Sequence, residues 1–249
     1  MEIIGPFLIS LFAGLSTLLG TLFIYIKPKN INKFIGICLS FSATIMVLIS
    51  VTELIPEGFF YLKYKYNLIL AIFMLILMIL VGNLINTCIN KKISKNSQNN
   101  TNLYRVGMLS MIALMIHNMP EGILTFLSST ININLGLKLG IAIMLHNIPE
   151  GIAIAVPIYY STYSKKAAVK GTLLSGLSEP LGALLAYLFL YKFISNTMIS
   201  IILLFVAGIM ISISLNDIYK ESYKYKFKYL ISGVVIGVIL FIINEILFS

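Results

Sequence analysis

The chain has 249 residues, 59% of them hydrophobic and 11% charged, with a formal net charge of +9 and a mean hydropathy of +0.97. Ordinary soluble domains carry about 25% charged residues, so the composition excludes a soluble enzyme or a soluble nucleic-acid-binding module and leaves a polytopic membrane protein. The basic residues lie in short connections between apolar runs instead of forming one patch, so nucleic acid is not an expected partner and the lipid bilayer is.

A hydrocarbon core about 30 Å thick needs about 20 helical residues. In chain order, spans are predicted at about 4–26, 34–58, 68–90, 104–127, 135–160, 168–191, 198–218 and 229–248. The fold class is therefore an all-α integral membrane protein of about eight transmembrane helices, with residues 1–249 forming one polytopic domain. The first apolar run has full-span length and no positive flank before it, so it is expected to stay as a helix and not be cleaved as a signal. Cys38 and Cys88 fall inside apolar runs and read as packing residues. After the third span, 91–103 reads as a flexible cytoplasmic loop, since Asn90 to Asn102 (NKKISKNSQNNTN) is too polar to bury a core.

Charge orients the spans. The connections after spans 1, 3, 5 and 7 hold Lys27, Lys29 and Lys33, then Lys91, Lys92, Lys95 and Arg105, then Lys165, Lys166 and Lys170, and last Lys220, Lys224, Lys226 and Lys228. The other connections hold only Lys63, Lys65, Lys138 and Lys192. By the positive-inside rule the first set is cytoplasmic, and both termini face outward.

Acidic side chains inside spans are costly, about 2.5–3.5 kcal/mol each at the bilayer centre on insertion scales. Glu121, Glu150 and Glu179 are inside spans, and so are both histidines of the chain, His117 and His146. Span 4 carries His117-Asn118-Met119-Pro120-Glu121-Gly122-Ile123, and span 5 repeats it as His146-Asn147-Ile148-Pro149-Glu150-Gly151-Ile152. Helical spacing puts each histidine and the glutamate four residues on along one face. Pro120 and Pro149 free the carbonyls of Ile116 and Leu145 and kink the helices at that depth. Glu179 follows in span 6, beside Pro180. Two imidazoles, three carboxylates and the amides of Asn118 and Asn147 suit zinc and admit iron(II), manganese or cobalt. The methionines at 108, 111, 115 and 119 read as packing.

Span 2 ends in Glu53-Leu54-Ile55-Pro56-Glu57-Gly58, which aligns with the heptapeptides, and span 7 ends in a degraded copy, Asp217-Ile218-Tyr219-Lys220-Glu221-Ser222. An inverted repeat of spans 1–3 and 6–8 around spans 4–5 would put the two at opposite faces. Glu53 and Glu57 are then a candidate entrance for cations, and Asp217 and Glu221 a candidate exit. Gly233 and Gly237 form a GxxxG pattern in span 8, which reads as a helix contact.

HNMPEG at 117–122, HNIPEG at 146–151 with the following VPIYY, and SGLSEPLGA at 175–183 make the chain resemble the ZIP family of divalent metal transporters, and most closely its prokaryotic zinc-transporting branch. The resemblance covers essentially the whole chain. It implies import of zinc and related cations, cadmium among them, through a two-metal site between spans 4, 5 and 6, in a multi-pass protein of the cell membrane. One metal site would use His117, Glu121, His146 and Glu150; its neighbour would use Asn118, Glu121, Asn147, Glu150 and Glu179. No catalytic cofactor and no enzymatic activity are expected, and a homodimer is compatible with this reading. The family pattern has a glutamate and a proline where Asp217 and Lys220 stand. The alternatives are export of the same metals and an intramembrane metallohydrolase, against which stands the absence of an HExxH motif.

Overall fold

The computed structural model describes residues 3–96, 102–190 and 195–248. Among them, eight long helices follow in order: α1 (Ile4–Tyr25), α2 (Ile31–Lys65), α3 (Leu68–Asn96), α4 (Asn102–Ile131), α5 (Ile133–Thr162), α6 (Lys165–Phe189), α7 (Asn196–Tyr223) and α8 (Phe227–Phe248). Each corresponds to one predicted span. Seven are long and apolar enough to cross a membrane. The eighth, α4, has 30 residues, about 45 Å of helix at 1.5 Å per residue. It falls short only in hydropathy, because it carries His117, Asn118, Pro120 and Glu121.

Several helices overrun the predicted spans. The second span was expected at 34–58, whereas α2 runs for 35 residues. The helices α3 and α4 take up both flanks of the predicted 91–103 loop, and its residues 97–101 lie outside the described residues. Residue 191, the end of the sixth predicted span, and Lys192 lie outside them as well. Hydropathy marks only the apolar part of a helix, while lysine, asparagine and isoleucine continue the backbone ladder at small cost. Asparagine and serine side chains start several helices: Asn30 accepts from the Lys33 amide at 2.9 Å, Asn132 from the Asn134 amide at 2.9 Å and Ser164 from the Ala167 amide at 3.2 Å. Tyr163, at φ 54, makes the left-handed turn between α5 and α6.

The helices pack in matched pairs. Helices α4 and α5 lie together, α1 packs on α5 as α6 packs on α4, and α2 packs on α8 as α7 packs on α3. This pairing is what a repeat of the first and last three helices around a central pair requires. Helices α3 and α8 are outermost, with only 11% and 22% of their most apolar stretches buried, against 67% for α2 and α5. Glycine sets the close contacts: Gly233 and Gly237 of α8 abut Ile37, Ser40, Phe41 and Thr44 of α2, as the GxxxG pattern predicts.

Among the described residues three five-residue π-helical turns occur, one of them at the end of α6 (Ala186–Leu190), and the other two interrupt long helices at matching points, Ser50–Leu54 in α2 and Ser214–Ile218 in α7. Each carries its acidic residue, Glu53 or Asp217, at the fourth position. In α2 the turn precedes Pro56, which has no amide proton to continue the ladder. In α7 the same turn forms although Lys220 stands where a proline would be, so the degraded copy keeps the backbone feature of the intact one. Such turns widen a helix locally and re-aim its side chains.

Candidate metal site

All seven residues expected to bind metal are buried. Asn118, Asn147, Glu150 and Glu179 are 0% exposed, His117 is 2%, and Glu121 and His146 are 7%. Prolines inside α4 (Pro120) and α5 (Pro149) loosen the backbone at the site. Helix α6 is interrupted at Leu177, two residues before Glu179 and three before Pro180. Glycines let the helices approach: a side chain on Gly122 would strike the Glu179 main chain, and one on Gly151 would strike the Thr17 carbonyl of α1.

The core of the site is asymmetric. His117 Nε2 lies 3.1 Å from Glu121 Oε1 and 3.2 Å from Glu150 Oε1. One ring proton cannot serve both carboxylates, and Glu150 Oε1 makes no properly aligned hydrogen bond despite the short separation. The Asn118 amide stands 3.2 Å from Glu150 Oε2, its nitrogen facing the carboxylate in the orientation that satisfies both groups. Asn147 Nδ2 donates to Glu179 Oε2 at 2.9 Å and to the Ala13 carbonyl of α1 at 2.8 Å. Contacts thus join His117, Asn118, Glu121 and Glu150 of α4 and α5, and Asn147 of α5 is joined to Glu179 of α6, whose carboxylate lies within electrostatic range of Glu121 and Glu150; these six residues make the cluster. Among the described residues no three His, Cys, Asp or Glu already stand at the spacing of a formed metal shell.

The cluster holds an excess of acceptors. Glu121 Oε2, Glu150 Oε1, Glu179 Oε1, Asn147 Oδ1 and His117 Nδ1 are all buried without a hydrogen-bond partner. A buried carboxylate with an unsatisfied oxygen is expensive, and such groups are ordinarily paired or bound to metal. Three carboxylates with amide oxygens and imidazole make a donor set of mixed hardness that matches a divalent transition metal.

The seventh residue points elsewhere. His146 Nε2 lies 3.6 Å from Glu53 Oε1 of α2 and 3.4 Å from Asn244 Nδ2 of α8. Glu53 is half-buried at this seam and Glu57 is exposed farther along α2. Asp217 accepts from Asn90 Nδ2 at 2.5 Å and from Asn86 Nδ2 at 3.4 Å, both on α3. Glu221 does not join it; that carboxylate takes Lys224 Nζ at 2.5 Å. Beside Asp217 a cavity of about 570 Å³ is lined by Asn86, Thr87, Asn90, Lys91, Asn216, Asp217 and Lys220. Sequence reasoning missed Asn244 and this α3 network. Asn83, Asn86 and Asn90 recur at helical spacing in an apolar run, and that signal was available.

The chain is also similar to known proteins. Residues 86–245 match the family profile described as ZIP Zinc transporter. The chain is 36% identical over 216 residues to a Chlorobium chlorochromatii protein named zinc transporter ZupT, covering 80% of this chain and 81% of that protein. It is 36% identical over 202 residues to a Streptococcus mutans protein of the same name, covering 76% of each. A Campylobacter jejuni protein of that name is 34% identical over 235 residues, covering 80% of this chain and 81% of its own.

Proposed function

Because the chain belongs to the ZIP zinc transporter family, we propose that it imports zinc and related divalent transition metal cations, passing them through the cluster on α4, α5 and α6. It is a multi-pass protein of the cell membrane. Its lysine-rich connections are cytoplasmic, both termini are outward, and the cation moves toward the lysine-rich side. The observation that carries this reading is the set of buried, unpartnered acceptors from Glu121, Glu150, Glu179 and Asn147 in the middle of apolar helices. Glu121 and Glu150 bridge two cations, His117 adds a nitrogen donor to one of them, to which the His146 ring turns from its place beside Glu53, and Asn118, Asn147 and Glu179 complete the other. Uptake by proteoliposomes, comparing zinc, iron(II), manganese, cobalt and cadmium, tests it: zinc accumulates, and no accumulation of any of the five overturns the reading. Lipid and peptide substrates incubated with the purified protein stay intact, whereas hydrolysis would favour a metalloenzyme.

Glu53 and Glu57 concentrate cations at the entrance instead of binding them tightly. Glutamine at both positions therefore lowers uptake at low zinc more than it lowers the maximal rate, since attraction by the exposed Glu57 and half-buried Glu53 carboxylates acts on encounter. An unchanged concentration dependence would mean that neither carboxylate acts on the incoming cation.

Selectivity follows from donor softness. Imidazole suits zinc, while carboxylate and water suit manganese, so His146→Glu raises manganese transport relative to zinc. Competitive uptake of the two metals, normalised to protein inserted, measures the ratio. A constant ratio with activity retained means that His146 does not ligate the transported ion.

A further inference from the structure

Helices α3 and α7 are pressed together at Gly82 and Gly208, where an added methyl would strike the main chain of the opposite helix. One turn on, toward their lysine-rich ends, the cavity of about 570 Å³ opens between them. Its buried wall is polar: Asp217 accepts from Asn90 and Asn86, and Ser212 accepts from Asn86 and Asn216 while donating to Asn83. Asn86 Oδ1 is left buried without a partner. The outer part is basic, since Lys91 and Lys220 line it and are exposed. Arg105 of α4 is a third cation, within electrostatic range of Asp217. Positive charge thus exceeds the single carboxylate, and the mouth of the cavity attracts anions and repels cations.

The outer face of α3 narrows the kind of anion. This helix is only 11% buried over its most apolar stretch, so most of it faces lipid. Leu80, Leu84, Thr87 and Lys91 follow one another at helical spacing along one stripe, and all four are exposed. Over about 17 Å of helix the stripe passes from hydrocarbon through a hydroxyl to an ammonium beside the cavity. A phospholipid lying along α3 presents the matching order: acyl chain, glycerol backbone, phosphate.

We propose that the cavity between α3 and α7 holds the headgroup of an anionic phospholipid, with its phosphate between Lys91 and Lys220 and its acyl chains along Leu84 and Leu80. Basic pockets between membrane helices at the cytoplasmic surface take phosphate headgroups in this way. Phosphatidylglycerol fits the whole lining, because its glycerol hydroxyls donate to Asp217 and to the Asn86 oxygen, acceptors that a phosphate oxygen cannot use. The choice of the inner leaflet rests on the orientation read from the lysines; the binding itself rests on neither that nor the transport reading.

The chain contains no tryptophan, so Leu84→Trp supplies a single fluorescent reporter beside the cavity. Full-length protein carrying it is placed in phosphatidylcholine vesicles in which a minor fraction of the lipid has brominated acyl chains, which quench tryptophan on contact. Brominated phosphatidylglycerol quenches more than the same fraction of brominated phosphatidylcholine, and this preference falls about fivefold in each of Lys91→Gln and Lys220→Gln. Lys226→Gln/Lys228→Gln, which removes charge from exposed positions of the same surface that do not line the cavity, changes the preference by less than about twofold. A reporter on the lipid-facing side of α8, Ile239→Trp, shows no preference. The proposal is overturned if the two brominated lipids quench Leu84→Trp equally, or if the preference is indifferent to both cavity lysines or as sensitive to Lys226→Gln/Lys228→Gln. Equal quenching by brominated phosphatidylethanolamine would put an ammonium on Asp217 and overturn the anionic assignment. Relief of the quenching by excess glycerol 3-phosphate would show a site for a free anion and overturn the lipid.

Discussion

Replacing Glu150 by alanine is expected to abolish zinc uptake while leaving the protein inserted and folded, and Glu121→Ala is expected to do the same. Glu150 is fully buried and stands against both His117 and the Asn118 amide, with one oxygen unsatisfied. A unit charge about 4 Å from a cation contributes about 4 kcal/mol at an effective dielectric of about 20, which corresponds to about a thousandfold in affinity. A carboxylate that bridges two ions loses this twice. Folding responds in the opposite direction, because removing a buried, incompletely paired carboxylate relieves desolvation. Uptake and thermal stability should therefore separate, with uptake lost and the melting temperature unchanged or raised. Near-normal zinc uptake by vesicles containing Glu150→Ala or Glu121→Ala at equal protein density would sink the two-ion reading.

The two heptapeptides share six of seven residues, and from the sequence alone they read as equivalent. What each one contains was legible: the histidine-to-glutamate spacing, the prolines that loosen the helix, and the third carboxylate at Glu179 with no nearby lysine. Their inequivalence was not, because it comes from the helix each one faces. On α4, Gly122 lies against the main chain of Glu179, so a carboxylate of α6 completes the cluster. On α5, Gly151 lies against the Thr17 carbonyl of α1, which brings no carboxylate to the corresponding place. The His146 ring meets α2 and α8 instead, and the residue waiting on α8 is Asn244, which no motif marks. The π-helical turns were half-legible for a similar reason. Pro56 announces the one in α2, whereas the one in α7 has Lys220 and no proline to announce it. Helix ends were the least legible part, since lysine and asparagine terminate an apolar run without terminating a helix.

Alanine at Gly122 should destroy transport even though it is the gentlest substitution available there. In the middle of a helix alanine is favoured over glycine by about 1 kcal/mol, so with free space around it Gly122→Ala would stabilise the protein. Here the added methyl would strike the carbonyl oxygen, carbonyl carbon and Cα of Glu179. Those are backbone atoms and cannot rotate away as a side-chain tip can. Helix α6 must move off α4, taking with it the Glu179 carboxylate that Asn147 holds at 2.9 Å. Overpacking of this kind typically costs about 1–3 kcal/mol, enough to outweigh the propensity gain and reverse its sign. Gly5→Ala is the matched control, because its methyl would meet only the end of the Ile133 side chain at 3.4 Å, an ordinary contact. Thermal unfolding in detergent should show Gly5→Ala at or above the unaltered protein and Gly122→Ala below it, with zinc uptake retained in the first and lost in the second. A Gly122→Ala protein that melts no lower and transports normally would mean that α4 and α6 are not pressed together at Glu179, and with that contact gone Glu179 would no longer be held in the cluster.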